Sequence, residues 1–169
     1  MIFQGTDNFL KNLSQKIHQT APEMKPFYHW HATITPNFDN ILLLNEASNY
    51  LVIIDNVDLS SFTRAKLPPI IKAAIKRELS LPFGEPADVS PATNHNIDRY
   101  LASGCTYTKE NNYPQAVFDE VQRRLDRMYG LHYSMSANIG EVTFNFNQNS
   151  QKFADGVYIP YKKMIKYFH

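Results

Sequence analysis

The chain is poor in the residues that build disulfide frameworks and phosphate-binding loops. Its single cysteine, Cys105, excludes an intramolecular disulfide and is typical of a protein in a reducing compartment. Its six glycines among 169 residues are fewer than the average glycine content of about 7% would supply. Neither G-x-G-x-x-G nor G-x-x-x-x-G-K-[ST] occurs, so a phosphate site built from a glycine-rich loop is not expected.

Charge of one sign and long apolar runs are equally scarce. Lysine and arginine together number 17, and aspartate and glutamate number 16, for a formal net charge of +1. This balance argues against a protein whose main task is to coat nucleic acid or anionic lipid. No apolar run approaches the roughly 20 residues that span a bilayer, and the first residues lack the pattern of a secretory signal. We therefore expect a soluble, cytoplasmic protein with no membrane partner.

Length and composition indicate a folded chain. Hydrophobic residues make up 43% of the sequence and charged residues 20%, whereas disordered chains combine low hydrophobicity with high net charge. A chain of this length can bury a core without disulfides or a structural metal. We predict a single globular domain over residues 1–169.

The chain does contain runs of aromatic and β-branched residues. Residues 27–35 have the composition of a strand and hold the only tryptophan, Trp30. Two apolar runs follow at residues 41–44 and 50–54, across short polar connectors. Three strands joined in this way predict an antiparallel meander around the Trp30 strand. Because side chains alternate along a strand, Trp30 is predicted to face the core.

Helical and strand patterns interleave irregularly along the rest of the chain. Apolar spacing predicts helices over residues 7–17, 68–79, 113–129 and 161–168, and composition or alternation predicts strands over residues 99–109 and 141–147. Val142, Phe144 and Phe146 are predicted to face inward from the last of these strands. Residues 81–96 carry four prolines or glycines and are predicted to form a long loop. The predicted fold class is α+β, a mostly antiparallel sheet packed with three to four helices.

Five of the sequence segments follow one another in a characteristic order along the chain. They are the strand and helix of residues 1–13, the Trp30-His31 strand, the apolar run ending at Leu44-Asn45, the helix after Asp58, and the stretch from Asn147 to Tyr158-Ile159-Pro160. In this order the chain resembles an uncharacterised family of small bacterial domains, known only as a domain of unknown function. Members often carry an Arg/Lys pair after the tryptophan strand, where this chain has residues 37–40, Asn-Phe-Asp-Asn, so a role for that pair does not transfer. The family has no established activity, and the resemblance implies a fold class without a function.

Two histidines on the Trp30 strand are the candidate metal ligands. His29 and His31 are two residues apart, so their side chains point to the same side of a strand, opposite Trp30. Two imidazoles on one side can bind zinc or another divalent metal ion. Three residues could supply the third ligand that such a site needs: His95, His132 and Glu46. The alternative interpretation is a solvated or hydrogen-bonded sheet face, and on that interpretation no cofactor is expected.

The C-terminal residues combine lysines with aromatic side chains. Tyrosine is enriched at the centres of protein interfaces, so the predicted partner-binding residues are Tyr161, Lys162, Lys163 and Lys166. Segments of basic and aromatic residues also bind single-stranded nucleic acid. The near-zero net charge of the chain disfavours this role for the C-terminal residues. A solvated helix face is the third interpretation of the same residues.

No catalytic constellation or cofactor loop accompanies these features in the sequence. We therefore predict a non-enzymatic domain that acts by binding a protein partner. Two alternatives stay open at this point. One is a metal-dependent enzyme that uses His29 and His31, and the other is a nucleic-acid-associated protein that uses the basic aromatic C-terminal tail.

Overall fold

The computed structural model describes residues 1–13, 16–20, 22–35, 40–55, 66–80, 90–110, 114–129 and 135–169. Its main sheet consists of β1 (Ile2–Gly5), β2 (Ile17–His18), β3 (His29–Ile34), β4 (Ile41–Asn45), β5 (Leu51–Ile54) and β6 (Thr106–Lys109). A separate hairpin consists of β7 (Gln151–Phe153) and β8 (Gly156–Tyr158). The three strands predicted around Trp30 are therefore confirmed as β3, β4 and β5.

Six α-helices occur in the described ranges, more than the three to four predicted. They are α1 (Asp7–Leu10), α2 (Leu67–Ser80), α3 (Pro91–Ala102), α4 (Gln115–Tyr129), α5 (Met135–Gln148) and α6 (Pro160–Ile165). Short 3₁₀ turns precede β3 at Pro26–Tyr28 and follow α6 at Lys166–Phe168. The helices predicted over residues 68–79 and 113–129 correspond to α2 and α4. None of the described helices combines the length and apolarity needed to cross a bilayer.

The main sheet is mixed, so the prediction of a mostly antiparallel sheet is wrong. The strand order is β2-β6-β1-β3-β4-β5. β3, β4 and β5 form the predicted antiparallel meander, whereas β1 runs parallel to both β3 and β6, and β2 runs parallel to β6. Parallel pairing needs a long connection that returns the chain to the starting end of the sheet. The connections that lead to β3 and β6 contain helices, while those inside the meander are short.

The strand predicted over residues 141–147 is instead part of helix α5. Val142 and Phe146 are four residues apart, so a helix also places them on one face, and both are buried. Phe144, which alternation would place beside them, is 40% exposed. The clean alternation in this sequence therefore fits a helix whose apolar stripe includes Ile139, Val142 and Phe146.

Three further boundaries differ from the predictions. The loop predicted over residues 81–96 includes the start of α3, where the Ser90 hydroxyl accepts a hydrogen bond from the Thr93 N–H at 3.2 Å; residues 81–89 lie outside the described ranges. The same helix continues to Ala102, so only the end of the strand predicted over residues 99–109 is β6. Helix α1 ends at Leu10, and Ile17, predicted to lie in that helix, begins β2.

Helices cover the main sheet on both faces. Trp30, as predicted, is fully buried and packs in a cluster that includes residues of β1, α2, α3 and the C-terminal segment. A second cluster lies on the other face, where α4 and α5 cover β4 and β5. The continuous apolar runs of β4 and β5 are thus buried on both sides. The corresponding face of β1, β3 and β6 is polar, and it carries the two candidate metal-ligating histidines.

Candidate functional site

The second face of β1, β3 and β6, called the polar face below, is largely buried. The strand register places Gln4 between His31 and Thr108 in one row. His31 is 7% exposed, Thr33 9% and Thr108 2%. His29, the first residue of β3, lies at the amino end of these three parallel strands, whereas Glu110 follows β6 at their carboxyl end.

His29 lies beside a carboxylate and an amide. Its Nδ1 is 3.1 Å from Oε2 of Glu46, the residue that follows β4. The Nε2 of Gln4 is 3.1 Å from the same Nδ1 and 3.3 Å from the Glu46 oxygen. The carboxylate can therefore accept hydrogen bonds from both residues. The other ring nitrogen of His29, Nε2, is buried and has no hydrogen-bond partner among the described residues.

His31 has a carboxylate partner of its own. Its Nδ1 is 2.7 Å from Oε2 of Glu110, and the two side chains are only 9% and 4% exposed. Glu110 directly follows β6, and its backbone N–H donates to the carbonyl of Gly5 at 3.1 Å. That hydrogen bond continues the β1–β6 pairing by one residue and holds the carboxylate over β1, within reach of His31.

Of the three residues predicted as the third metal ligand, only Glu46 is seen beside the two histidines in the described ranges. Glu46 does approach the pair, although it contacts His29 at Nδ1. His95 is exposed on α3, and His132 lies outside the described ranges. Across the residues that the structure describes, no three His, Cys, Asp or Glu side chains form a group that could hold a metal ion. The described polar face therefore offers two imidazoles, each with a carboxylate at Nδ1.

The C-terminal segment, residues 158–169, is anchored by its apolar side chains. Met164 is fully buried and Phe168 is 2% exposed. Tyr161, predicted to bind a partner, is partly buried against the core, with its ring 6.2 Å from that of Tyr50. Its burial raises the pKa of its hydroxyl above the ordinary value. Tyr161 therefore contributes to anchoring the segment.

The three predicted lysines line one shallow depression beside Tyr158, with a volume of about 520 Å³. Lys162 and Lys166 are exposed. Lys163 is 2.7 Å from a carboxylate oxygen of Asp155 and lies 3.8 Å from the centre of the Tyr158 ring. Burial lowers the pKa of Lys163, but its hydrogen bonds with Asp155 and Tyr158 raise that pKa above 10.5 overall. Lys162 and Lys166 are the lysines with the freedom to contact another molecule.

A second concave surface, called the aromatic groove below, is lined in part by Tyr167 of the C-terminal segment. It consists of two adjoining depressions of about 610 and 340 Å³ that share Phe27, Tyr28 and Tyr167. The Tyr167 ring stacks on Phe27 with centroids 4.4 Å apart, although Tyr167 is 47% exposed. The remaining lining residues are Met24, Lys25, Pro26 and Ala47 in the larger depression, and Asn96, Arg99, Tyr100, Ser103 and Phe168 in the smaller.

Buried hydrogen bonds hold the floor of the aromatic groove in place. The carbonyl of Phe27 accepts from the Tyr100 hydroxyl at 3.0 Å and from Nδ2 of Asn45 at 2.9 Å. The Tyr100 hydroxyl in turn accepts from the indole N–H of Trp30 at 2.6 Å. Asn45 also accepts from the hydroxyl of Ser48 at 2.9 Å. Because each member is buried and satisfied, the groove has a rigid support.

Sequence reasoning identified parts of these surfaces and missed others. It placed His29 and His31 on one face and named Glu46, but it did not identify Glu110, which is 79 residues from His31. It also did not identify the aromatic groove, since Phe27 and Tyr167 are distant in the sequence. The abundance of aromatic residues outside the strand cores was the one signal that pointed to such a surface.

No model of a known protein family matches the chain, and no curated protein matches it. The resemblance to the uncharacterised bacterial domain family stays a prediction.

Proposed function

We propose that this protein binds a protein partner, and that a linear peptide segment of the partner occupies the aromatic groove. The observation that carries the proposal is the stack of Tyr167 on Phe27 at the centre of an open concave surface. A tyrosine that is half exposed while its neighbours are buried is typical of an interface centre. The rigid support beneath Phe27 reduces the entropy cost of ordering this surface on binding.

The chemistry of the groove favours a proline-containing segment. Extended proline-rich peptides dock in grooves lined by aromatic rings because their polyproline conformation is already ordered. Here Tyr28 and Tyr167 both contact Phe27, with ring centroids 5.3 and 4.4 Å from it. Three adjacent rings provide apolar walls for successive proline residues.

The charges around the groove favour acidic residues beside the prolines. Lys25 lines the larger depression and Arg99 the smaller. Within the part of the chain that the structure describes, neither has an ion-pair partner. Lys162 and Lys166, exposed on the same C-terminal segment as Tyr167, add positive charge. Complementary charge of this kind steers association and selects partners.

A panel of synthetic peptides tests this proposal. The panel contains proline-rich peptides with flanking aspartate or glutamate, the same peptides with lysine at the flanks, and peptides without proline. Fluorescence anisotropy with the full chain measures affinity. We expect the acidic proline-rich set to bind most tightly, and we expect Tyr167→Ala to weaken that binding about tenfold, the effect of an interface hot spot.

Val157→Ala is the matched control, because Val157 is an exposed apolar residue on β8, away from the groove. It should leave peptide affinity unchanged. Equal effects of the two substitutions, or the absence of saturable binding across the whole panel, would overturn the proposal. Single-stranded oligonucleotides form a separate arm. Tighter binding of these, with an affinity that falls steeply with salt, would favour the nucleic-acid alternative instead.

A further inference from the structure

We infer that the smaller depression of the aromatic groove is a carboxylate subsite, in which the guanidinium of Arg99 binds one acidic side chain of the peptide. This inference rests on the proposed function, because it concerns the same groove. It adds the residue that selects the charge of the peptide and the end of the groove at which that charge lies. The different linings of the two depressions and the charges around each of them carry the inference.

The two depressions differ in the chemistry of their linings. Apart from the three rings that both share, the larger is lined mainly by apolar side chains, such as those of Met24 and Pro26. The smaller is lined by three hydrogen-bonding side chains, Asn96, Arg99 and Ser103, beside two further rings. None of the described lining residues of either depression is acidic. The larger depression therefore suits the prolines of the peptide, and the smaller suits a polar group with negative charge.

The guanidinium of Arg99 can bind such a group. Arg99 is exposed on α3, and it has no ion-pair partner in the part of the chain that the structure describes. A guanidinium carries five N–H donors in a planar fork that matches the two oxygens of a carboxylate. Paired hydrogen bonds of this kind are charge-assisted and directional. Arg99 can therefore bind a carboxylate of the peptide without first breaking a described ion pair.

The charges beside the smaller depression are mostly positive. The Nζ of Lys72 donates to the carbonyl of Ser103 at 2.8 Å, which places a second cation next to this lining residue. Asp98, the residue before Arg99, is 2.7 Å from the Nζ of Lys76, so its negative charge is largely compensated. A carboxylate in the smaller depression therefore lies in a favourable electrostatic field.

The larger depression has acidic neighbours in the chain. Glu23 precedes Met24 and Glu46 precedes Ala47, and both of these later residues belong to its lining. Lys25 is the one cation among its described lining residues. Because like charges repel each other at short range, we expect the acidic residue of the peptide to be more stable in the smaller depression than in the larger.

Helix α3 holds Arg99 in position. The hydroxyl of Tyr100, the next residue, donates to the carbonyl of Phe27 at 3.0 Å. Asn96, three residues before Arg99 and on the same side of the helix, donates through Nδ2 to the carbonyl of Phe168 at 2.9 Å. An amide group has two N–H donors, so the second can donate to the same carboxylate as Arg99. Because these contacts fix α3 against the groove floor and the C-terminal segment, binding requires little reordering of the helix.

Fluorescence anisotropy with the full chain and a set of matched peptides tests the inference. All peptides share one proline-rich core, an acetylated N-terminus and an amidated C-terminus. Two of them carry a single aspartate, one at the N-terminal flank and one at the C-terminal flank, and the reference peptide has asparagine at both flanks. We expect one of the two aspartate placements to raise the affinity about tenfold over the reference, since hydrogen bonds to a charged group have this effect.

Arg99→Gln should abolish that gain and leave the affinity of the asparagine peptide unchanged. Its melting temperature should also be unchanged, because the substitution is on the surface. Arg99→Glu should reverse the preference, so that a peptide with lysine in place of the favoured aspartate binds more tightly than the aspartate peptide. A purely structural role of Arg99 would not produce this reversal.

Lys25→Gln serves as the control, because it removes one positive charge from the larger depression. It should leave the ratio of the aspartate-peptide affinity to the asparagine-peptide affinity unchanged. The inference is overturned if the three peptides bind equally, if both aspartate placements give the same gain, or if Lys25→Gln reduces the gain as much as Arg99→Gln. The proposed function survives those results when Tyr167→Ala still weakens peptide binding. The absence of saturable binding by every peptide would overturn the proposed function and this inference together.

Discussion

At the residue scale, the Tyr100 hydroxyl connects the core to the aromatic groove. It accepts a hydrogen bond from the buried Trp30 indole and donates one to the Phe27 carbonyl. Burial raises the pKa of Tyr100 well above its ordinary value of 10.0, although the hydrogen bond from Trp30 acts in the opposite direction. The hydroxyl is therefore neutral and able to donate at any physiological pH.

Tyr100→Phe should destabilise the protein by about 1–3 kcal/mol, because it leaves the buried indole N–H of Trp30 without an acceptor. Urea unfolding monitored by tryptophan fluorescence measures this change. Tyr28→Phe is the control, since no described hydrogen bond involves the Tyr28 hydroxyl, and its effect should stay within about 0.5 kcal/mol. Equal stabilities of the two variants would contradict the role assigned to the Tyr100 hydroxyl.

At the element scale, helix α5 supplies hydrogen-bond partners to the backbone of Leu51 on strand β5, which lies at the edge of the main sheet. The Asn147 side chain donates to the carbonyl of Leu51 at 2.7 Å and accepts from the N–H of the same residue at 2.8 Å. These are the two bonds that a further strand would have made. An uncovered edge is a template for aggregation, and Asn147 covers this edge at Leu51 while it attaches the helix to the sheet.

Asn147→Leu should lower the free energy of unfolding by about 2–4 kcal/mol, because two buried backbone groups of Leu51 lose their partners. Asn149→Ala, two residues further along in the exposed region after the helix, removes only solvent-exposed hydrogen bonds and should be close to neutral. Chemical denaturation compares the two variants. A neutral Asn147→Leu would show that the edge is satisfied in another way.

In the C-terminal segment, we expect substitutions of buried residues to lower stability and substitutions of the exposed lysines to weaken peptide binding. Phe168→Ala should cost about 3–5 kcal/mol as a truncation of a buried aromatic residue. The double charge reversal Lys162→Glu and Lys166→Glu should change stability by less than about 0.5 kcal/mol, yet weaken binding of the acidic peptides. Lys163 is excluded from the reversal because its ion pair with Asp155 would confound the result. Thermal unfolding and peptide titration check both halves of this prediction.

An unchanged affinity after the double reversal would remove the C-terminal lysines from the proposed partner surface. It would leave the aromatic groove to be judged by the Tyr167 variant alone.

At the scale of the whole molecule, several phenols are buried in the apolar layer on one face of the sheet. Burial raises the pKa of Tyr50, Tyr100 and Tyr107 well above the ordinary value of 10.0. An acid whose pKa is raised in the folded state binds its proton more tightly there than in the unfolded chain. The stability that it contributes is fully present below pH 10 and is lost as the pH rises toward the folded-state pKa.

The protein should therefore unfold in alkali. Above about pH 10 the free energy of unfolding should fall by up to about 1.4 kcal/mol per pH unit for each of these tyrosines. Phenolate absorbance and circular dichroism, recorded together during a pH titration, measure this coupling. We expect the exposed tyrosines to ionise first and the buried ones only as the fold is lost. Reversible ionisation of all ten tyrosines without loss of structure would contradict the prediction.

Local patterns in the sequence were sufficient for part of this molecule. The β3–β5 meander and the burial of Trp30 follow from side-chain alternation and short connectors, and α2 and α4 follow from apolar spacing. All of these depend on residues close together in the chain. The common side of His29 and His31 is predictable for the same reason, because it requires only the alternation of a single strand.

The tertiary structure decided the rest, because it depends on contacts between distant residues. The parallel placement of β1 beside β3 and β6 depends on where helical connections return the chain. The identity of α5 depends on its packing against β5, since Val142 and Phe146 fit either a strand or a helix face. The Glu110 partner of His31 and the stacking of Tyr167 on Phe27 join residues 79 and 140 positions apart, and no local pattern encodes such a pairing.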